Sequence, residues 1–256
     1  MKRIFPFLIM IIMLLSCGDS TTSFDYELEL TENRSWSATS LTQLDALTIN
    51  GGINVLGTQD TLITVVITKK CMGEDSADAA SYINNIVITE NISGSMLSLD
   101  ADMPADTARN YVCDFDFTAP PGIYLDLVTL NGGVSVIDMV GGLDVQITNG
   151  AITTTNLEGS IDGTTTNGAI NCDMALLGTS DSAVLRTTNG AVTLSLPSNV
   201  SASFDAETTN GNVAVTGFSA VNYTINETNH KAGTIGTGDA TITIDVTNGD
   251  ITIEAR

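Results

Sequence analysis

The chain has 256 residues, 43% of them hydrophobic and 5% aromatic, with 9 Lys and Arg against 30 Asp and Glu and a formal net charge of -21. That balance excludes nucleic-acid binding, because neutralising phosphates needs clustered Lys and Arg. Its acidity favours solubility and repels anionic lipid, and says little about the fold.

The first sixteen residues combine a basic start, Lys2-Arg3, with the apolar run Ile4 to Leu15 and the small residue Ser16. They are expected to be a cleaved export signal (1–16), since the apolar run is too short to span a bilayer. Leu14-Leu15-Ser16-Cys17 resembles the lipobox of bacterial lipoproteins, which implies cleavage before Cys17 and a lipid on its sulfur; several acyl chains give stable anchoring where one does not. The chain would then lose 16 residues, leaving 240, and two positive charges, moving from -21 to -23. Only Arg34, Lys69, Lys70, Arg109, Arg186, Lys231 and Arg256 would remain basic. Residues 17–40, rich in Ser, Thr, Asp and Glu with little periodicity, are expected to tether lipid to domain, with Tyr26 to Leu30 able to add a strand.

From residue 41 to 256 a tripeptide recurs: Ile49-Asn50-Gly51, Leu130-Asn131-Gly132, Thr148-Asn149-Gly150, Thr166-Asn167-Gly168, Thr188-Asn189-Gly190, Thr209-Asn210-Gly211 and Thr247-Asn248-Gly249, with Thr228-Asn229 as a degenerate copy. The regular intervals of 18 to 22 residues predict a solenoid. The second residue after each glycine is apolar (Val134, Ile152, Ile170, Val192, Val213, Ile251), and so are Leu143 and Ile161 in the half-coils between. The fourth place is often apolar or small as well, which is the alternation of strands with one face buried.

Asn-Gly between alternating strands also signals hairpins, so an antiparallel meander is the rival reading. Identical residues at identical offsets favour parallel, in-register stacking, because Asn over Asn lets side-chain amides form a ladder. The runs Thr153 to Thr155 and Thr164 to Thr166 are expected to add similar outer or corner ladders. Glycine is expected at the corners for its positive φ, which asparagine also tolerates. The expected class is therefore all-β, a parallel β-helix or β-solenoid. Residues 60–118 break the period with strands near Leu62 to Thr68, Ile86 to Thr89, Met96 to Leu99 and Tyr111 to Phe117, and a short helix within Glu74 to Asn84. This block is expected to be an antiparallel insertion or cap, since an exposed coil is an open sheet edge.

The stretch Phe115 to Val136, with the Thr-Asn-Gly-Ala-Ile segments at 148–152 and 166–170, resembles the bacterial adhesin-like β-repeat family of unknown function. Ile49 to Asn54 is similar to its relative, the head GIN domain family. The resemblance covers roughly 41–256 and implies a β-helix or β-roll on an exported, often lipidated protein, with adhesion or envelope association and no catalytic residues to carry over. Partners so implied are the membrane, through the lipid anchor, and envelope polysaccharide or protein.

Candidate chemistry is sparse. In an oxidising compartment a Cys71–Cys113 disulfide is expected, while Cys172 reads as a small buried hydrophobe. His230 stands where a repeat glycine would be and has no nucleophile beside it in sequence. No Cys-x-x-Cys or paired histidines support a metal, and Asp100, Asp102, Asp106, Asp114 and Asp116 read as solvated surface rather than calcium ligands, so no cofactor is expected. Asp60-Thr61-Leu62, Asp75-Ser76-Ala77, Asp106-Thr107-Ala108 and Asp181-Ser182-Ala183 weakly resemble O-glycosylation acceptors. The expected role is adhesion or envelope interaction without catalysis; a polysaccharide-active β-helix enzyme and a purely structural spacer are the alternatives, and the scarcity of cationic side chains disfavours a lyase of anionic sugars.

Overall fold

The computed structural model describes residues 24–105 and 109–256. The expected signal, Cys17, the start of the tether and Asp106 lie outside the described residues. The first part of the chain forms β1 (Tyr26–Ser37), β2 (Gln43–Asn50), β3 (Ile53–Gly57), β4 (Leu62–Gly73), helix α1 (Ser76–Tyr82), β5 (Val87–Ser93), β6 (Met96–Asp102) and β7 (Val112–Ala119). Next come β8 (Tyr124–Asn131), β9 (Val134–Ile137), β10 (Leu143–Asn149), β11 (Ile152–Glu158), β12 (Ile161–Asn167), β13 (Ile170–Leu176), β14 (Ser182–Asn189) and β15 (Val192–Leu196). The last are β16 (Ala202–Asn210), β17 (Val213–Thr216), β18 (Val221–Asn226), β19 (His230–Ile235), β20 (Ala240–Asn248) and β21 (Ile251–Ala255).

Each coil gives one strand to each of two sheets, with an Asn-Gly corner between them. The ten-stranded sheet runs β1-β4-β7-β3-β9-β11-β13-β15-β21-β17, and the eleven-stranded sheet runs β18-β19-β16-β20-β14-β12-β10-β8-β2-β6-β5. Successive coils pair in parallel and in register: Asn131 lies over Asn149, Asn149 over Asn167 and Asn167 over Asn189. The hairpin alternative is thereby overturned. Val134, Leu143, Val145, Ile152, Ile161, Ile170, Val192, Val213 and Ile251 are all buried in the single core between the sheets, as the alternation requires.

The corner explains the repeated residues. Asn131 Nδ2 donates to Asn50 Oδ1 (2.7 Å), and the same bond follows from Asn149, Asn167, Asn189, Asn248 and Asn210, each to its neighbour, at 2.8–2.9 Å. Asn50 Nδ2 ends the ladder on the Tyr111 carbonyl (3.2 Å). Inside the same corner Thr48, Thr129, Thr165, Thr187 and Thr208 are buried, and each hydroxyl donates to a backbone carbonyl of the adjacent coil at 2.8–3.0 Å. This separates the expected Thr ladders by face: the middle residues Thr154 and Thr165 of the two runs point inward, and their neighbours point out.

Glycine is needed here less for its φ than for the closeness of the coils. A Cβ on Gly132, Gly150, Gly168 or Gly190 would sit 1.8–2.0 Å from the carbonyl oxygen of the neighbouring corner glycine. Gly51 adds a φ of 141°, in a region that L side chains avoid.

Three expectations are corrected. First, β1 is a twelve-residue strand paired along its full length with β4, so the fold reaches well into the expected tether. Its charged residues close one end of the sandwich: Glu32 takes Lys69 Nζ at 2.6 Å and Arg34 at 3.0 Å, while Arg34 and Trp36 Nε1 both reach Glu90 on β5. Second, the irregular block is not wholly antiparallel. β6 and β7 run parallel to β2 and β3 and form an extra coil, leaving β1, β4 and β5 as the antiparallel cap.

Third, Cys71 and Cys113 are both buried free thiols. Cys113 faces Lys69 across the β4–β7 pair, so Cys71 is its diagonal neighbour. Diagonal pairs lie about 7–8 Å apart at Cα, beyond the usual disulfide span. Burial pushes the thiols up to about 11 for Cys71 and about 12 for Cys113, which disfavours the reactive thiolate.

The stack does not follow the sequence at its far end. β20 pairs with β14 on one side and β16 on the other, and β21 lies likewise between β15 and β17. The last coil is thus inserted between two earlier ones. The antiparallel pair β18–β19 then covers β16, with the Thr228 carbonyl accepting from Val213 N (2.8 Å) and Asn229 from Thr208 N (2.9 Å).

Gly150→Ala should unfold the local stack, because its Cβ meets the Gly132 carbonyl oxygen at 1.9 Å, whereas Gly133 has only an ordinary contact at 3.4 Å. Ala151, Ala169 and Ala191 already occupy the position equivalent to Gly133 in other coils. Gly133→Ala is therefore expected to be neutral or to gain about 0.4–1 kcal/mol through the unfolded chain. Thermal melts of the two variants decide it, and equal stability would contradict the close-approach account.

Candidate binding face

The outer face of the eleven-stranded sheet carries one side chain per rung in straight rows, because parallel in-register strands repeat every offset from the corner asparagine about 4.8 Å apart. Five residues before the asparagine the row reads Asp45, Asp126, Asp144 and Asp162 on four consecutive strands, then Val184, Thr243 and Asp205. Three residues before, it reads Leu47, Val128, Gln146, Thr164, Arg186, Asp245 and Glu207. The row next to the asparagines is Ile49 and Leu130, then Thr148, Thr166, Thr188, Thr247 and Thr209. The two rows nearer the asparagines are thus graded along the stack, apolar at the β2–β8 end, hydroxylated in the middle and charged beyond, while the aspartate row runs beside their apolar and hydroxylated parts.

A shallow groove of about 600 Å³ runs across this gradient, bounded by Leu47, Ile49 and Leu130 at one end and by Asp162 and Arg186 at the other. Leu47 and Leu130 are 40% and 45% exposed. Arg186 bridges Asp162 (3.4 Å) and Asp245 (3.5 Å), which offsets part of the acidic row. Exposed pairs of this kind contribute little to stability, so their effect is on the surface potential.

Within the aspartate row Asp126 is electrostatically disfavoured: burial raises it above its ordinary value, and Asp45 and Asp144 on either side raise it further. Burial and a hydrogen bond to Asp144 also push the Tyr124 hydroxyl up, so it stays protonated. The row was legible in the sequence, since all four aspartates fall five places before a repeat asparagine.

The other candidates are structural. Among the described residues no group of His, Cys, Asp and Glu is arranged to hold a metal ion. Asp114 accepts from Gly52 N and Lys70, and Asp116 from Asn54. His230 binds Asp205 across the β16–β19 pair at 2.8 Å, at the start of β19 beside the last corner. Cys172 is buried, takes a hydrogen bond from Thr154 (3.3 Å) and is pushed up to about 12 by burial. Asp75 caps α1 by accepting from Ala77 N and Asp78 N, Asp181 accepts from Gly178 N and Asp60 from the Thr58 hydroxyl, so the three described acids of the four glycosylation-like triplets have local roles.

Residues 126–254 match the model of the Toastrack DUF4097 family, half of the chain, and the chain belongs to that family. The adhesin-like repeat family that the sequence resembles is consistent with this assignment. No curated protein matches the chain. Among solved structures, it is similar to a candidate cell adhesion protein from Clostridium sporogenes, with 13% identity and a TM-score of 0.50 over 89% of this chain and 100% of that one. It is also similar to a candidate adhesin from Bacteroides fragilis, with 14% identity and a TM-score of 0.38 over 88% and 97% of the two chains. At such identities the likeness concerns the fold alone.

Asp126→Asn should raise thermal stability near neutral pH. A carboxyl whose folded pKa lies above its unfolded value is harder to ionise in the folded state, so stability falls as pH rises through that interval and stays reduced above it. The advantage of the variant should therefore vanish at acid pH below the ordinary carboxylate range. Melting temperatures measured across that range check the sign, and a constant difference at all pH values would refute it.

Proposed function

We propose that the protein is a non-catalytic, adhesin-like envelope protein, held at the bacterial membrane through lipid on Cys17, that binds a repetitive envelope polymer or protein through the outer face of its eleven-stranded sheet. The observation that carries this reading is the row pattern itself. The face offers the same side chains at strand spacing over successive rungs, which suits a partner with repeating groups. Catalysis calls instead for several different groups converging on one reacting atom. The exposed Leu47 and Leu130 beside a run of threonines supply an apolar anchor next to hydrogen-bonding hydroxyls, the combination found at binding surfaces. The adhesion-related names of structures with this fold agree with the reading.

The lipid anchor rests on the sequence alone. Cys17→Ser is expected to shift the protein from membrane to soluble fractions on cell fractionation, and unchanged membrane retention would sink the anchor.

Binding of the purified protein to isolated cell envelopes, with lipid vesicles as the control, tests the face. The double substitution Leu47→Thr and Leu130→Thr, which places at two exposed positions the residue that Thr164 and Thr148 supply in the same rows, should leave the melting temperature nearly unchanged and abolish binding to envelopes. Retained binding would move the contact elsewhere on the molecule.

A further inference from the structure

We infer that Asn210 is a site of spontaneous covalent modification, deamidation through a succinimide, and that the other six Asn-Gly corners are protected by the stack. In an Asn-Gly pair the glycine nitrogen can lose its proton and attack the asparagine Cγ. The new N–C bond closes a five-membered imide, the Cγ–Nδ2 bond breaks and ammonia leaves. Water then opens the ring to aspartate or isoaspartate. Glycine favours the attack because it has no side chain to hinder it, so seven Asn-Gly pairs would make this chain unusually vulnerable if they were free.

Six of them are not free. The glycine N–H donates to the carbonyl of the corner asparagine in the adjoining coil: Gly51 to Asn131 (2.8 Å), Gly132 to Asn149 (2.9 Å), Gly150 to Asn167 (2.9 Å), Gly168 to Asn189 (2.9 Å), Gly190 to Asn248 (3.0 Å) and Gly249 to Asn210 (3.0 Å). The attacking nitrogen is thus committed and its proton held. The electrophile is fixed as well, since the Oδ1 of Asn50, Asn131, Asn149, Asn167, Asn189 and Asn248 each accepts from the next rung.

Asn210 differs in both respects. It is the terminal rung, because the element beyond it is the antiparallel β19 instead of another coil. The bonds to that cap run from Thr208 N to Asn229 and from Val213 N to Thr228, so they straddle the corner. Among the described residues Gly211 N has no acceptor, and the Asn210 side chain is held by its Nδ2 alone, at 2.8 Å from Asn248 Oδ1. Exposure does not separate the sites, for Asn131, Asn149, Asn167, Asn189 and Asn248 are exposed as well. The free nitrogen is what sets Asn210 apart. Conversion would replace the Nδ2 donor by a carboxylate oxygen facing Asn248 Oδ1, breaking the last rung and adding a negative charge at the capped end.

The test is to hold the purified folded protein in mildly alkaline buffer and follow each Asn-Gly peptide by mass spectrometry, with isoaspartate-specific methylation as a second readout. The one-dalton gain should accumulate at Asn210 more than roughly tenfold faster than at Asn149, Asn167 or Asn189, since those rungs must first open locally. In denaturant the sites should converge to similar rates, which separates protection by the stack from neighbouring sequence. Inner rungs modified as fast as Asn210 in the folded protein, or Asn210 as slow as they are, would overturn the inference.

Discussion

The whole structure depends on how closely one corner lies over the next. At the Asn-Gly turn the backbones approach until a glycine hydrogen is all that fits against the neighbouring carbonyl, and that closeness brings the asparagine amides within hydrogen-bonding distance of each other. A chain of amides, each both donor and acceptor, pairs every asparagine side chain along the corner except at its ends. The buried threonines repeat this on the inner side, satisfying backbone carbonyls that the tight turn would leave without partners. At Ile147 and Val246 an apolar residue replaces the threonine, so packing and hydrogen bonding are interchangeable at this place in the coil.

The same register produces the surface. Once each strand lies directly over the last, any side chain kept at one offset becomes a row, and a row amplifies whatever chemistry it carries. Asp126, partly buried and flanked by Asp45 and Asp144, holds its proton more tightly for its place in the line, while threonines in line form a neutral hydroxylated strip. The binding face is therefore a consequence of the scaffold and did not require a cavity. Its gradation from leucine to threonine to charge gives it a polarity along the stack that a uniform repeat would lack.

An ordered stack must also end. At one end β1, β4 and β5 turn the strands antiparallel and close the gap with Glu32, Lys69, Arg34, Glu90 and Trp36; at the other, β18 and β19 cover one sheet. Antiparallel strands thus end both sheets at the first end and the eleven-stranded sheet at the second, where β17 stays the parallel edge strand of the ten-stranded sheet. The insertion of β20 and β21 buries the last coil between two others, leaves β16 and β17 as the terminal coil, and ties Arg256 back to Asp173 and Asn156.

The sequence by itself determined the repeat unit. The recurrence of Asn-Gly with an apolar residue two places on fixed the parallel coil, the inward set from Val134 to Ile251 and the asparagine ladder, because in-register stacking is a local rule repeated. It also held the aspartate row, readable at the repeat offset. Tertiary structure alone decided what depends on which coils meet: the place of Asn248 between Asn189 and Asn210, the recruitment of residues 26–37 into a strand, the extra coil of β6 and β7, and the diagonal offset that keeps Cys71 and Cys113 as thiols. All of these are contacts between segments far apart in the chain. Near-identical corners are interchangeable to any local rule, so only the packing of the caps against particular coils selects their order.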